Sequence, residues 1–189
     1  YTYIKALERG LPVELSLIPF IESQFDPYAQ SSTGASGIWQ FIATTGRENG
    51  LKKNWWYDAR RDIVASTDAA YNFLEKLYSE HNDWLIALAA YNAGPSRVRK
   101  EIKKNKAKGL PTDFWSLNLP RETKAYVPKI LALVEVIRDP QKFNIKLPYL
   151  ANRPYFQIVD LPSQVDLMQI GKLAGLKLEA LYELNPGFN

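Results

Sequence analysis

Cysteine is absent from the 189 residues, and histidine occurs once, at His81. The first absence excludes disulfides and thiolate metal sites, and a single imidazole cannot nucleate a histidine cluster. Metal catalysis is therefore not expected, and no cofactor is called for. An oxidising compartment fits a cysteine-free chain only weakly, since many cytosolic proteins would pass the same test. Long apolar runs are also missing. None approaches the roughly 18 to 20 residues of a membrane span, and Tyr1 opens directly into Tyr-Thr-Tyr-Ile-Lys without a signal-peptide pattern. The chain reads as a processed or trimmed piece, so any leader or lipid anchor is expected outside it.

What is present suits an ordinary folded protein, with 46% hydrophobic and 23% charged residues. One main domain with a small appendage is expected. The net charge of +4 would suit a polyanion, but Lys and Arg are scattered apart from the run 97–108, which fits a solvated helix face. No zinc, homeodomain or RNA-binding motif organises the charge, so nucleic acid is not expected as a partner.

The spacing predicts a helix over 12–25, with Pro12 in its first turn and a kink at Pro19. A small-residue loop follows at 31–37. Ile38, Trp39, Phe41 and Ile42 then start a second amphipathic helix. Further helices are predicted through Ile63, Ala70, Leu74 and Leu77, and from Trp84 to a stop at Asn92-Ala93-Gly94-Pro95. The basic run forms the next, closed by Gly109 and Pro111, and the last covers 121–138 with a bend at Pro128. The first 145 or so residues thus read as all-helical.

Helical spacing from Leu15 and Ile18 reaches Glu22 next and then Phe25, which puts a carboxylate on the apolar stripe. Apolar surroundings disfavour its charged form, raise its pKa and keep it protonated near neutrality. A general acid that protonates a glycosidic oxygen needs this state. The alternative is a glutamate at a helix end, paired with an arginine or reaching water, and periodicity leaves both open. Aromatic residues make up 13% of the chain, a supply that suits sugar stacking as well as core packing. Tyr91-Asn92, followed by Ala93-Gly94-Pro95, offers a phenol, an amide and close backbone together, or else a capped helix end.

The string Glu22-Ser23-Gln24-Phe25-Asp26-Pro27-Tyr28-Ala29-Gln30-Ser31, continued by Gly34-Ala35-Ser36-Gly37-Ile38-Trp39-Gln40, resembles a known family pattern, E-S-x-F-x-P-x-A-x-S-x-x-G-A-x-G-x-x-Q, at every fixed position. Two later strings match in order, Ala90-Tyr91-Asn92-Ala93-Gly94-Pro95 and Glu122-Thr123-Lys124-Ala125-Tyr126-Val127. The family is that of the soluble lytic transglycosylases, whose catalytic domain has a goose-type lysozyme fold. The likeness covers about residues 5 to 145. Ile38-Trp39 stands where the common variant has Leu-Met, which changes the groove floor and leaves the chemistry untouched.

The tail, with a strand predicted at 155–159, two short helices near 166–174 and 178–184, and Leu184-Asn185-Pro186-Gly187, is similar to a LysM module. Pro162-Ser163-Gln164-Val165-Asp166 replaces the usual Gly-Asp-Thr turn, and no second strand follows. A lone strand leaves its edge unpaired, so the module is either incomplete or packed on the main domain. The resulting expectation is mainly α. A goose-type lysozyme-like catalytic domain fills residues 1–147, a linker containing Asn152, Arg153 and Pro154 fills 148–154, and an incomplete LysM-like α/β appendage fills 155–189.

The resemblance implies that Glu22 protonates the oxygen between MurNAc and GlcNAc. The same residue then takes the proton from the MurNAc 6-hydroxyl, closing a 1,6-anhydro ring without water. It also implies that Ser23 and Ser31 support Glu22 or the substrate. Gln40, Tyr91 and Asn92 would hold the N-acetyl sugars. Glu122 and Tyr126 would line the groove, with Tyr126 tuning Glu22 through a hydrogen bond. Asp26 precedes Pro27 and is better explained by turn geometry. Two rivals are a goose-type lysozyme that admits water and a non-catalytic wall-binding scaffold. The implied partner is the peptidoglycan glycan strand, the implied location the bacterial envelope on its periplasmic side, with outer-membrane attachment only through an anchor outside the chain. A monomer is expected.

Overall fold

The computed structural model describes residues 1–151, 153 and 155–189. Its described residues are mainly helical, in the order α1 (Thr2–Glu8), α2 (Ile18–Ser23), α3 (Ala43–Glu48), α4 (Ile63–His81), α5 (Trp84–Ala93), α6 (Pro95–Ala107), α7 (Arg121–Arg138), α8 (Leu167–Ala174) and α9 (Leu178–Leu184). None of these helices is long and apolar enough to cross a membrane.

Local chemistry sets the ends of the long helices. Asp62 caps α4 by accepting from the Ala65 amide, and Asp83 caps α5 by accepting from Leu85 and Ile86; each cap satisfies donors that the first turn leaves unpaired. Asn82, in the left-handed region, ends α4. Gly94, with φ near +87°, ends α5, and Pro95 begins α6 in the position where its missing N–H costs nothing. Helix α7 runs through Pro128 over the whole predicted span.

Helix α5 is the hub. Ile86, Ala87, Leu88, Ala89 and Ala90 are all buried, because α4, α6 and α7 pack around it. Small alanines let those neighbours approach closely. Leu15, Ile18, Trp39, Tyr71, Leu74, Val98, Val127 and Ile130 complete one continuous core, and each large apolar side chain so buried contributes about 1.5–3 kcal/mol.

Three sequence expectations are corrected. The span 12–25 is not one kinked helix: a 3-10 turn at Val13–Leu17 passes into α2, with Pro19 in the first turn of α2. Phe25 leaves the apolar stripe and is exposed, because Gln24 and Phe25 both take positive φ and turn the chain away. No helix starts at Ile38 either. Ser36 pairs with Phe41 across a tight turn at 37–40, and helix α3 begins only at Ala43. Ile38, Trp39 and Phe41 are buried by a loop folded onto the core while Ile42 is exposed, a pattern that helical periodicity imitates.

The third correction concerns the tail. Residues 155–159 form no strand, and β pairing among the described residues is limited to isolated bridges in other places. With nothing to pair against, most of this apolar segment lies exposed, and no LysM-like α/β unit is built. The two predicted helices do form, as α8 and α9, and the tail is packed on the main domain. Phe156 meets the Tyr1 ring, and Phe188 pairs with Tyr57. Within the predicted linker, Asn152 and Pro154 lie outside the described residues.

Candidate active site

Helix α2 is six residues long and stops at Ser23, one residue beyond Glu22. Gln24 and Phe25, at φ 54° and 63°, then reverse the chain. Consecutive left-handed non-glycine residues cost on the order of 1 kcal/mol or more each, and such strain gathers at functional sites. The reversal leaves Glu22 half-buried in a groove of about 420 Å³ with Phe20, Ile21, Ser23, Gln24 and, from α7, Lys129.

Tyr126 of α7 donates its phenolic proton to Glu22 Oε1 at 2.6 Å. Burial pushes the Glu22 carboxyl up to about 7, the Tyr126 hydrogen bond pulls the other way, and the charge of Glu122 adds to the rise. Desolvation therefore outweighs the one bond that favours the anion, and a carboxyl poised near 7 can both give and take a proton at neutral pH. The Tyr126 and Tyr91 phenols are themselves raised well above their ordinary value, first by burial and then by the charge of Glu22. Glu22, Tyr91 and Tyr126 thus form one cluster at the junction of α2, α5 and α7.

The other residues singled out in sequence fall into two groups. Ser23, Gln40, Tyr91 and Ser31 engage the protein itself. Ser23 Oγ lies 3.0 Å from Ile38 O and 3.1 Å from Pro19 O, so its single proton serves one or the other. Tyr91 donates to Trp39 O at 2.8 Å. Gln40 donates from Nε2 to Ala29 O and Gly37 O, and Ser31 Oγ accepts from the amides of Thr33 and Ala35. Together they hold the 29–41 loop against α2 and α5. Ile38 and Trp39 supply the carbonyls, while the Trp39 indole is buried, donating to Thr67 and meeting Tyr71 edge-on.

Asn92, Glu122 and Tyr126 form the second group. Asn92 Oδ1 accepts from Thr123 Oγ1 at 2.8 Å, which ties α5 to α7. Glu122 is exposed yet near enough to act on Glu22. Asp26 is placed outside the cluster, where its carboxylate accepts from the Tyr28 amide in a local turn.

Sequence reasoning missed three contributors. Lys129 follows Glu122 and Tyr126 at the i, i+4, i+7 spacing that defines one helix face, a signal that was readable. Thr123 is a buried polar residue one position off that face. Asp58 and Arg60 form a buried ion pair at 2.7 Å, and Arg60 also donates to Gly34 O and Phe41 O. Gly37 lies so close to this arginine that an added Cβ would sit 1.8 Å from Arg60 O. The loop that faces Glu22 is thereby locked from behind.

The transglycosylase SLT domain family matches residues 4–113. Membrane-bound lytic murein transglycosylase D of Escherichia coli strain K12 is 47% identical over 181 residues, 95% of this chain and 40% of that protein. The chain thus spans well under half the length of that relative. An X-ray structure of an inactive Glu-to-Gln mutant of the lytic transglycosylase Slt from Pseudomonas aeruginosa superposes with a TM-score of 0.56 at 31% identity, over 76% of this chain and 24% of that one. The 70 kDa soluble lytic transglycosylase of Escherichia coli, at 24% identity, shares the fold with the same TM-score over 74% of this chain and 24% of its own.

Proposed function

The chain belongs to the transglycosylase SLT domain family, and from that premise we propose that it cleaves the β-1,4 bond between MurNAc and GlcNAc in peptidoglycan without water, in cell-wall remodelling. The observation that carries this reading is the Glu22 carboxyl, raised to about 7 in a groove and held by Tyr126. Protonated Glu22 gives its proton to the leaving GlcNAc oxygen as the glycosidic bond breaks. The resulting carboxylate then takes the proton of the MurNAc 6-hydroxyl, whose oxygen closes onto C1 and forms the 1,6-anhydro ring. One carboxyl thus serves both steps and ends protonated, ready for another turnover. A carboxyl near 7 is matched to both roles, whereas one at its ordinary value would be a poor acid at neutral pH.

Tyr126 is assigned to holding and tuning Glu22. Asn92, Glu122 and Lys129 are assigned to the sugars, Asn92 through its amide and the two charged residues from the α7 face. Ser23, Ser31, Gln40 and Tyr91 serve the site by fixing the loop against which the sugars lie. Residues 1–147 form the goose-type lysozyme-like catalytic domain, 148–154 the linker and 155–189 the appendage, to which no LysM-type glycan binding is given. Murein relatives support an envelope location, with any anchor outside this chain, and a monomer suffices for a site built from one chain.

Digestion of purified sacculi by wild type and Glu22→Gln, read by mass spectrometry, tests the reading. Wild type is expected to release 1,6-anhydro ends. Turnover by Glu22→Gln should fall by about a thousandfold with sacculus binding retained, in the range that positioned acid–base groups supply. Reducing ends one water heavier would make the enzyme a hydrolase. Unchanged turnover in Glu22→Gln would remove Glu22 from the chemistry.

A further inference from the structure

The two most exposed indoles lie away from the residues of the Glu22 groove and play no part in the mechanism. Trp55 is 81% exposed and Trp56 72% exposed. They occupy the tip of a short hairpin whose base is the Lys53–Asp58 bridge, with Ala59 N donating to Lys52 O. Large exposed apolar side chains usually sit on mobile surface, where their entropy is kept. This tip is held instead. Asn54 Oδ1 accepts from the Trp56 and Tyr57 amides at 2.8 and 2.9 Å, and Asn54 N donates to Tyr57 O.

The appendage supplies the second half of the clamp. Asn189 N donates to Trp56 O at 2.9 Å and Asn189 Nδ2 to Trp55 O at 2.6 Å, while Asp58 N donates to Gly187 O. Gly187 is required there, since a Cβ would lie 2.5 Å from Tyr57 Cε2. Both Trp carbonyls are therefore fixed by residues more than 130 positions away in sequence, with both indole rings left facing solvent.

The tip is also joined to the segment that follows Glu22. Arg61 donates to Phe188 O, and its guanidinium lies 5.9 Å over the Tyr28 ring; Tyr28 in turn donates to Tyr182 O. Tyr28, Tyr182 and Phe188 are all exposed rings. A cation–π contact and the hydrogen bonds of residues 188–189 thus join Tyr28, six residues beyond Glu22, to the Trp55–Trp56 tip.

We propose that Trp55 and Trp56 are a second glycan-binding site, a stacking platform that holds a peptidoglycan strand at a distance from the bond being cleaved. Two adjacent indoles on an anchored backbone suit the C–H faces of pyranose rings, and the backbone has little entropy left to lose on binding. Charge favours this occupant over an anionic bilayer. Lys52, Lys53, Arg60 and Arg61 stand around the tip against Asp58 and Asp62, with Asp58 shared by Arg60 at 2.7 Å and Lys53 at 3.4 Å, while Arg61 donates to neutral oxygens of the 187–189 segment and keeps its charge. Four cations offset by two carboxylates fall short of the roughly four to eight clustered basic residues that mark an anionic-lipid site. The proposal rests on the peptidoglycan reading and deepens it, because a polymer extends beyond the cleavage groove and a small sugar does not.

The test compares Glu22→Gln with the same chain carrying Trp55→Ala and Trp56→Ala, by sedimentation with purified sacculi and by titration with a soluble tetrasaccharide of the same repeat. Sacculus binding is expected to weaken about tenfold, as befits the loss of two stacking faces, with tetrasaccharide binding and melting temperature unchanged. Gly187→Ala should weaken sacculus binding about threefold by prying the clamp from Tyr57. Equal sacculus binding by parent and double variant overturns the platform, and so does equal loss on both glycan lengths. Lost binding to phosphatidylglycerol–phosphatidylethanolamine vesicles with sacculus binding intact would make the tip a membrane contact and overturn it too. If the wild type neither binds sacculi nor releases anhydro ends, the function itself falls; if it does both and only the double variant fails to differ, the platform alone falls.

Discussion

The segment 13–41, with a 3-10 turn and α2, and the segment 155–189, with α8 and α9, are of similar length, but their surroundings differ. The first is laid across the hub of the fold. Its polar side chains reach backbone carbonyls on other elements, as Ser23 does with Ile38, and Tyr91 and Arg60 reach back to it from α5 and from the chain before α4. In the second, α8 buries only Gly171 and α9 only Leu181, and attachment to the main domain comes from a few rings and from residues 187–189. Strain and a desolvated carboxyl are tolerated in the first segment because the surrounding core over-determines it. The second has too little core of its own to hold a desolvated carboxyl or a strained turn.

The contrast would break most visibly at Gly37. Gly37→Ala should cost about 3 kcal/mol or more, since the residue has φ +82° and its Cβ would overlap Arg60 O. Chemical denaturation measures this, and a loss under about 1 kcal/mol would mean that the loop is not locked from behind.

A smaller effect is expected on the pH profile. Glu22 must be protonated to act as the acid, so activity should fall as pH rises through about 7. The Tyr126 bond favours the anion and lowers this value, so Tyr126→Phe should raise it. The alkaline limb of kcat/KM then moves upward by about one pH unit. A downward move would reverse the assigned role of Tyr126.

The smallest effect belongs to the tail. Leu181→Ala removes the main buried side chain of α9, yet the principal unfolding transition should move by less than about 0.5 kcal/mol, because the tail opens locally. Hydrogen exchange in α8 and α9 should accelerate at the same time. A shift of the whole transition would show the two segments to be one cooperative unit.

Much of the helical frame was readable because capping and periodicity are local. Asp62, Asp83, Gly94 and Pro95 fix the ends of α4, α5 and α6 through contacts within a few residues, and α7 falls on the span read as about 121–138. Ile38, Trp39 and Phe41 misled because burial of a loop produces the same apolar pattern as a helix face. Residues 155–159 misled because strand propensity has no effect without a partner to pair with. Lys129 was in plain view on the Glu122–Tyr126 face, whereas the Asp58–Arg60 lock could be seen only once the chain was folded.

By itself the sequence determined the family and most of the helical frame and singled out Glu22 as the candidate acid, since motif spacing and the placement of a carboxyl after Leu15 and Ile18 are properties of chain order. Only the tertiary structure decided the state of that carboxyl and the surroundings of the two tryptophans. A pKa depends on what excludes water and which phenol or charge lies within reach, and Tyr126 is 104 residues away. Likewise, the clamp on Trp55 and Trp56 comes from Asn189, more than 130 positions on. Burial and hydrogen bonds between distant residues exist only after folding, and they turn a recognisable glutamate into a usable acid.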